Sequence, residues 1–312
     1  MPDRRYVADQ MVAERGHGGA ARPADPRPSH VVTDRPPPIA ISDPQDERIV
    51  RFHLRDRGLA MSGRRHRGED GGLFVAEGDL VVERALAAGF RIDAVLVDDR
   101  RRPPVLDLVP ADVPIYAAGE RIRREATGLG VALEVIALFH RPSTVADPAE
   151  VVADAFRLVV LEAVDNPTNL GAIVRTASAL GMDGLLLDST SADPLARRAT
   201  RSSMGAVFTL PFARLGGLAP DGMELLHRAG VTTLALTPDP AAMPIDELHL
   251  DPNAKVALLL GSERVGLTNE VLATATTTVR IEMNHGVDSL NVAAAAAIAC
   301  YALRRWSAAG PK

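Results

Sequence analysis

The sequence predicts an α/β fold: a parallel-sheet domain in the C-terminal half, a smaller α/β unit ahead of it, and a disordered N-terminal tail. Three observations predict it. Phe156 to Val164 (FRLVVLEAV) and Lys255 to Leu260 (KVALLL) are nearly continuous apolar runs, as expected of strands covered on both faces. Each leads through a turn into helical spacing, the alternation that builds a parallel sheet. Residues 1–45, by contrast, carry prolines at 23, 26, 28, 36, 37, 38 and 44 and no apolar period. Such a segment buries too little surface to offset chain entropy.

With 312 residues, 46% hydrophobic and 24% charged, the chain has the length for about two domains. No apolar run reaches the roughly 18 uncharged residues of a membrane span. The N-terminus lacks the charged start and apolar core of a secretory signal. Cys300 is the only cysteine, which excludes an internal disulfide, fits a reducing cytoplasm and suits a small apolar core residue. The net charge of −5 does not by itself point to nucleic acid. Charge therefore has to be read locally.

The tail, 1–45, sets six arginines against six acidic residues and is given no catalytic role. A small unit follows over 46–142. Arg48 to Leu59 reads as a short helix, and Arg64, Arg65, His66 and Arg67 form a basic loop. Leu73 to Gly78 is a short strand ending in a glycine turn. Asp79 to Ala88 is a helix with Leu80, Val81, Ala85 and Leu86 on one face. Gly89 stops it at a left-handed cap position. Ile92 to Val97 and Val113 to Tyr116 read as strands, with a second basic loop, Arg100 to Arg102, between them. The two arginine loops either face a phosphate backbone or are simply solvated. Pro142, Ser143, Asp147 and Pro148 mark a linker over 143–156, and the second domain takes 157–312.

In that domain the first strand ends in Asp165-Asn166-Pro167-Thr168-Asn169-Leu170-Gly171. Ala172 to Leu180 is helical, Gly181 stops it, and Gly184 to Leu187 is the next strand. In such βαβ sheets ligands sit beyond the carboxyl ends of the strands. If Asn169 caps the helix, Arg175 lies about 9 Å along its axis, and both can approach one crevice. Either residue alone reads equally well as a cap or as a solvated arginine. Pro194 to Met204 carries Arg197, Arg198 and Arg201, which either hold phosphates or meet water. Met223 to Ala229 is a helix and Thr232 to Leu236 a strand.

The strand KVALLL runs into a tight loop, Gly261 to Leu267, before a helix near Asn269. Gly261 would let a ligand meet bare backbone. Glu263 puts a carboxylate at the strand's end, where a helix N-terminus also favours one. Val279 to Met283 is a last strand, and Asn284 to Asp288 a loop rich in turn residues. Ser289 is expected to cap the helix that follows. From Leu290 that helix is apolar on nearly every side, so it is expected to be buried on nearly every side. Asn291 is its one amide side chain and sits in the first turn.

Three segments, NPTNLGAIVR, LLLGSERVGL and IEMNHGVDSLNVAAAAAIA, resemble the ordered motifs of the SpoU (TrmH-type) RNA ribose 2′-O-methyltransferases of the SPOUT superfamily. The likeness is strong over about 157–306. FVAEG and the helix after it resemble, more weakly, the small RNA substrate-binding domain often fused ahead. The resemblance implies a trefoil knot in the C-terminal sheet and a homodimer whose partner covers half of the alanine-rich helix. It also implies S-adenosylmethionine as methyl donor. Gly261, Ile281 and Leu290 would line the adenosine pocket, with Leu260, Met283 and Asn291 beside them.

The implied reaction is attack of a ribose 2′ oxygen of ribosomal or transfer RNA on the sulfonium methyl, with no metal. Arg175 would stabilise the developing oxyanion, because a guanidinium is a poor base. Asn169 would orient the ribose or the arginine, Glu263 would pair with Arg175, and Ser289 and Asn291 would fix the loop. Arg264-Val265 departs from the small or polar residues usual after the glutamate. Two other readings are a knotted methyltransferase acting on a base nitrogen and an RNA-binding protein without catalysis. The matched Asn169, Arg175 and Ser289-Leu290-Asn291 argue against the first; loss of Arg175 or a blocked methyl-donor pocket would support the second, and the sequence shows neither.

Overall fold

A computed structural model of the chain describes residues 35–62, 72–128, 133–142, 146–284, 286 and 288–304. Most of the expected tail and the loop of Arg64 to Arg67 lie outside them. Two sheets organise the rest. The smaller contains β1 (Ile39–Ile41), β2 (Leu73–Glu77), β3 (Ile92–Asp98), β4 (Ile115–Ala118) and β5 (Val135–His140), in the order β1-β4-β3-β5-β2. Helices α1 (Asp56–Ser62), α2 (Asp79–Ala87) and α3 (Glu120–Thr127) accompany it. β1 lies inside the segment expected to be disordered, and pairs in parallel with β4 from Ile39 opposite Tyr116 to Ile41 opposite Ala118. Three residues carry no readable period; an existing sheet edge gives them order. The single helix expected over Arg48 to Leu59 is also corrected. Leu54 is extended and separates a 3-10 turn, Val50–His53, from α1.

The larger sheet contains β6 (Arg157–Leu161), β7 (Gly184–Leu187), β8 (Phe212–Arg214), β9 (Val231–Leu236), β10 (Met243–Pro244), β11 (Lys255–Leu260) and β12 (Thr277–Arg280). Its order is β10-β12-β9-β11-β6-β7-β8, and every pairing is parallel. The helices are α4 (Pro148–Asp154), α5 (Pro167–Ala179), α6 (Arg197–Ser202), α7 (Met223–Arg228), α8 (Asn269–Thr274) and α9 (Val292–Leu303). The apolar runs work as expected: side chains alternate across the sheet. Val159 and Leu161 face the core containing α5 and α9, and Leu158 and Val160 face that containing α4, α7 and α8. None of the described helices is long and apolar enough to cross a membrane.

The expected linker, 143–156, is corrected in part. Asp147 caps α4 by accepting a bond from the Ala149 amide, Pro148 occupies its first turn, and Val151 and Val152 are buried. Asp-Pro marks a helix start as readily as a linker, and the short length hid the difference. The two sheets share one core. Phe208, after α6, sets its ring 5.6 Å from Phe74 and 5.3 Å from Phe90. Arg197, read as a phosphate ligand or solvated, is instead committed to this junction, donating to the Phe52 and Ala126 carbonyls. Its Nε lies 3.5 Å from Glu77 Oε1. Glu77 is buried with neither carboxylate oxygen hydrogen-bonded. Burial pushes its carboxyl up, while Arg197 and Arg201 pull the other way.

Candidate active site

The chain winds outward from β6 to β7 and β8, then returns to lay β11 and β9 on the other side of β6. That reversal is where an open parallel sheet leaves a crevice beyond its strand ends. The loops after β9, β11 and β12 meet there, around a cavity of about 430 Å³.

The loop after β6 is held under strain. Ala163 adopts a left-handed φ of 55°, a conformation that costs a non-glycine residue about 1–3 kcal/mol. Asp188 fixes it, accepting from the Ala163 amide at 3.1 Å and from the Ser191 amide and hydroxyl. Burial raises the cost of charge on Asp188. The bonds from Ser191, Thr190 and the Ala163 amide outweigh it and hold the carboxyl below its usual range. The cap of α5 is Asn166, which accepts from the Thr168 amide, and not Asn169. Asn169 sits in the first turn, where its side chain is spared for other work. Gly171 is required by close packing, since a Cβ there would stand 2.0 Å from Ser202 Oγ and 2.4 Å from the Ala199 carbonyl oxygen of α6.

The loop after β11 folds back on its own start. A Cβ on Gly261 would lie 2.1 Å from the Gly266 carbonyl carbon and 2.2 Å from the Leu267 nitrogen. The glycine is thus demanded by the loop's return, a tighter constraint than the ligand access the sequence suggested. Glu162, at the end of β6, closes the same turn. Its buried carboxylate accepts from the Thr268 amide at 2.8 Å and hydroxyl at 3.0 Å, and Thr268 in turn caps α8.

The third loop supplies the junction. Its helix starts at Val292, capped by Asn291 rather than by Ser289. Asn291 Oδ1 accepts from the Ala293 amide at 2.9 Å and the Ala294 amide at 3.3 Å. Its Nδ2 donates to Glu263 Oε1 at 2.5 Å and to Asn169 Oδ1 at 3.3 Å. One amide therefore ties all three motif loops together. The expected pair between Glu263 and Arg175 is not formed. Glu263 is taken by Asn291, and Arg175 is exposed on α5, with no hydrogen bond or ion pair among the described residues.

Leu260, Gly261, Ile281, Met283, Ser289 and Leu290 all line the cavity, with Glu263 at its wall. Asn169, Arg175 and Asn291 stand outside the lining. Leu236, Thr237 and Pro238, at the end of β9, also line it. They were missed, because nothing local marks β9 as the strand beside β11. The helix α9 is not buried all round. Val292, Ala296, Ala299, Cys300 and Leu303 face the core, whereas Ile298 and Tyr301 are 42% and 56% exposed. A single chain has only one side on which to pack it. Burial pushes the Cys300 thiol up to about 12, as for an inert core residue. In the second basic loop, Arg101 and Arg102 form surface ion pairs with Glu134 and Asp107.

Residues 157–301 match the SpoU rRNA Methylase family. Over 266 residues the chain is 38% identical to an uncharacterized tRNA/rRNA methyltransferase of Mycobacterium bovis, covering 84% of this chain and 90% of that protein. Over 231 residues it is 30% identical to the 23S rRNA (guanosine(2553)-2′-O)-methyltransferase of Bacillus subtilis, covering 74% and 88%. The AdoMet-bound rRNA methyltransferase from Sinorhizobium meliloti aligns with a TM-score of 0.70 at 26% identity, over 85% of this chain and 97% of that one.

Proposed function

The chain belongs to the SpoU rRNA methylase family, and on that premise we propose that it transfers a methyl group from S-adenosylmethionine to a ribose 2′-hydroxyl of RNA. Ribosomal RNA is the substrate class of the Bacillus subtilis relative, and we take it as the substrate class here. The observation that carries the reading is the amide of Asn291, which holds Glu263 and Asn169 together beside the cavity.

The cavity suits the donor. Its volume falls within the roughly 300–1,000 Å³ of small-molecule sites. Leu236, Leu260, Ile281 and Leu267 offer apolar walls, and Glu263 and Asp288 offer carboxylates to a cation. When bound, S-adenosylmethionine supplies an electrophilic methyl on a sulfonium. The chain's part is positioning and charge. Gly261, Ile281, Leu290, Leu260 and Met283 would hold the adenosine end. Asn169, fixed by Asn291, orients the ribose. Arg175, uncommitted to any carboxylate among the described residues, grips the neighbouring phosphate and donates to the 2′ oxygen as charge develops. That donation lets the hydroxyl proton leave to water. Glu263 and Ser289 fix the loops on either side.

We further read the smaller sheet, with residues 46–142 and β1, as the substrate-binding unit, and the C-terminal segment as the knotted one. A second copy of the chain would cover Ile298 and Tyr301, making a homodimer in the cytoplasm. The test uses labelled methyl donor and RNA, followed by alkaline digestion. A ribose methyl leaves an uncleaved labelled dinucleotide; label only in mononucleotides means a base methyl and defeats the proposal. Arg175→Ala is expected to lower transfer about 10²–10³-fold while donor binding persists, and retained turnover would remove the arginine from the mechanism.

A further inference from the structure

Arg264 is the one cationic side chain lining the cavity among the described residues; Glu263 and Asp288 line it as acids. Among the described residues its guanidinium makes a single contact, from one terminal nitrogen to Asp165 Oδ2 at 3.0 Å. Asp165 belongs to the loop after β6, so the pair spans two of the three motif loops. Both partners are open to water, with side chains 83% and 64% exposed. An ion pair in that setting holds weakly. The contact also leaves most of the guanidinium's five donors unused.

A polyanion approaching this rim meets Asp165, Glu263 and Asp288. A cation is needed there to offset them, and it must be able to exchange partners. A phosphate offers a guanidinium two parallel bonds, where Asp165 accepts one. On the reading given above, we propose that Arg264 is a substrate-positioning residue. It leaves Asp165 for a phosphate of the RNA next to the target ribose, and so sets that ribose over the cavity. Asp165 is then the resting partner that competes with RNA.

The two partners should behave oppositely, which a purely structural latch would not allow. Binding of an unmodified 23S rRNA transcript to the full chain would be measured across a series of salt concentrations. Arg264→Ala should weaken binding about tenfold and make the slope of log K against log salt shallower by about 0.7–0.9. Arg264→Lys should keep the slope, since the charge remains. Asp165→Asn should tighten binding. The proposal is overturned if Asp165→Asn and Arg264→Ala shift RNA affinity in the same direction, or if the slope does not change. It is also overturned if Arg264→Ala weakens donor binding as much as RNA binding. A chain that binds RNA but methylates no ribose defeats the function proposed above, and the slope comparison still decides Arg264. A chain that binds no RNA defeats both.

Discussion

Replacing Asn291 separates two jobs that one side chain performs. Its oxygen caps α9 and its nitrogen joins Glu263 to Asn169. Asn291→Ala removes both. Loss of the cap costs about 1 kcal/mol. The two donated bonds are solvent-exposed, and we assign them about 0.5 kcal/mol each. The sum, about 2 kcal/mol, corresponds to a fall in Tm of about 4 °C for a chain of this size. Asn291→Asp keeps the capping oxygen and adds a favourable charge of about 0.5 kcal/mol at the helix N-terminus. It also sets a carboxylate against Glu263, where a 2.5 Å bond stood. The aspartate variant should therefore melt about 2 °C above the alanine variant, yet lose methyl transfer at least about tenfold, or 1.4 kcal/mol of transition-state stabilisation. Calorimetric melts paired with transfer assays on the same preparations decide it. Equal Tm losses in the two variants would refute the division of labour. So would an aspartate variant with full transfer.

Gly261→Ala should abolish donor binding by calorimetry, because its Cβ would stand 2.1 Å from backbone carbon and the loop must be rebuilt; unchanged affinity would show that the loop's return is not needed. Arg157 is buried and donates to the carbonyls of Leu303 and Ala254. Arg157→Leu should cost about 3 kcal/mol and expose the end of α9 to hydrogen exchange, and intact protection there would contradict this. Glu77 has its folded pKa raised by burial, with Arg197 and Arg201 opposing. A raised carboxyl contributes stability below its unfolded pKa and loses it as pH rises through the folded value. The Tm advantage of Glu77→Gln over the natural chain should thus widen as pH rises above the usual carboxylate range; an advantage independent of pH would count against a strained buried charge.

Elements whose signals are local could be read directly from their residues. Lys255 to Leu260 and Gly184 to Leu187 form the strands read from their apolar runs. Gly89 and Gly181 end their helices with positive φ, because only a residue without a Cβ enters that region cheaply. The motif residues at the cavity were legible too, through resemblance rather than through pattern. Partnerships were not. That Asn291 would take Glu263 away from Arg175, that Glu162 would hold Thr268, and that three residues near Ile39 would complete a sheet depends on strand order. So does the contribution of β9 to the cavity wall. A period of two or 3.6 residues reports which face of an element is apolar, but not which other element will cover it. The tertiary structure made those choices, since a hydrogen bond forms only between groups that the packed sheets bring within about 3 Å of each other.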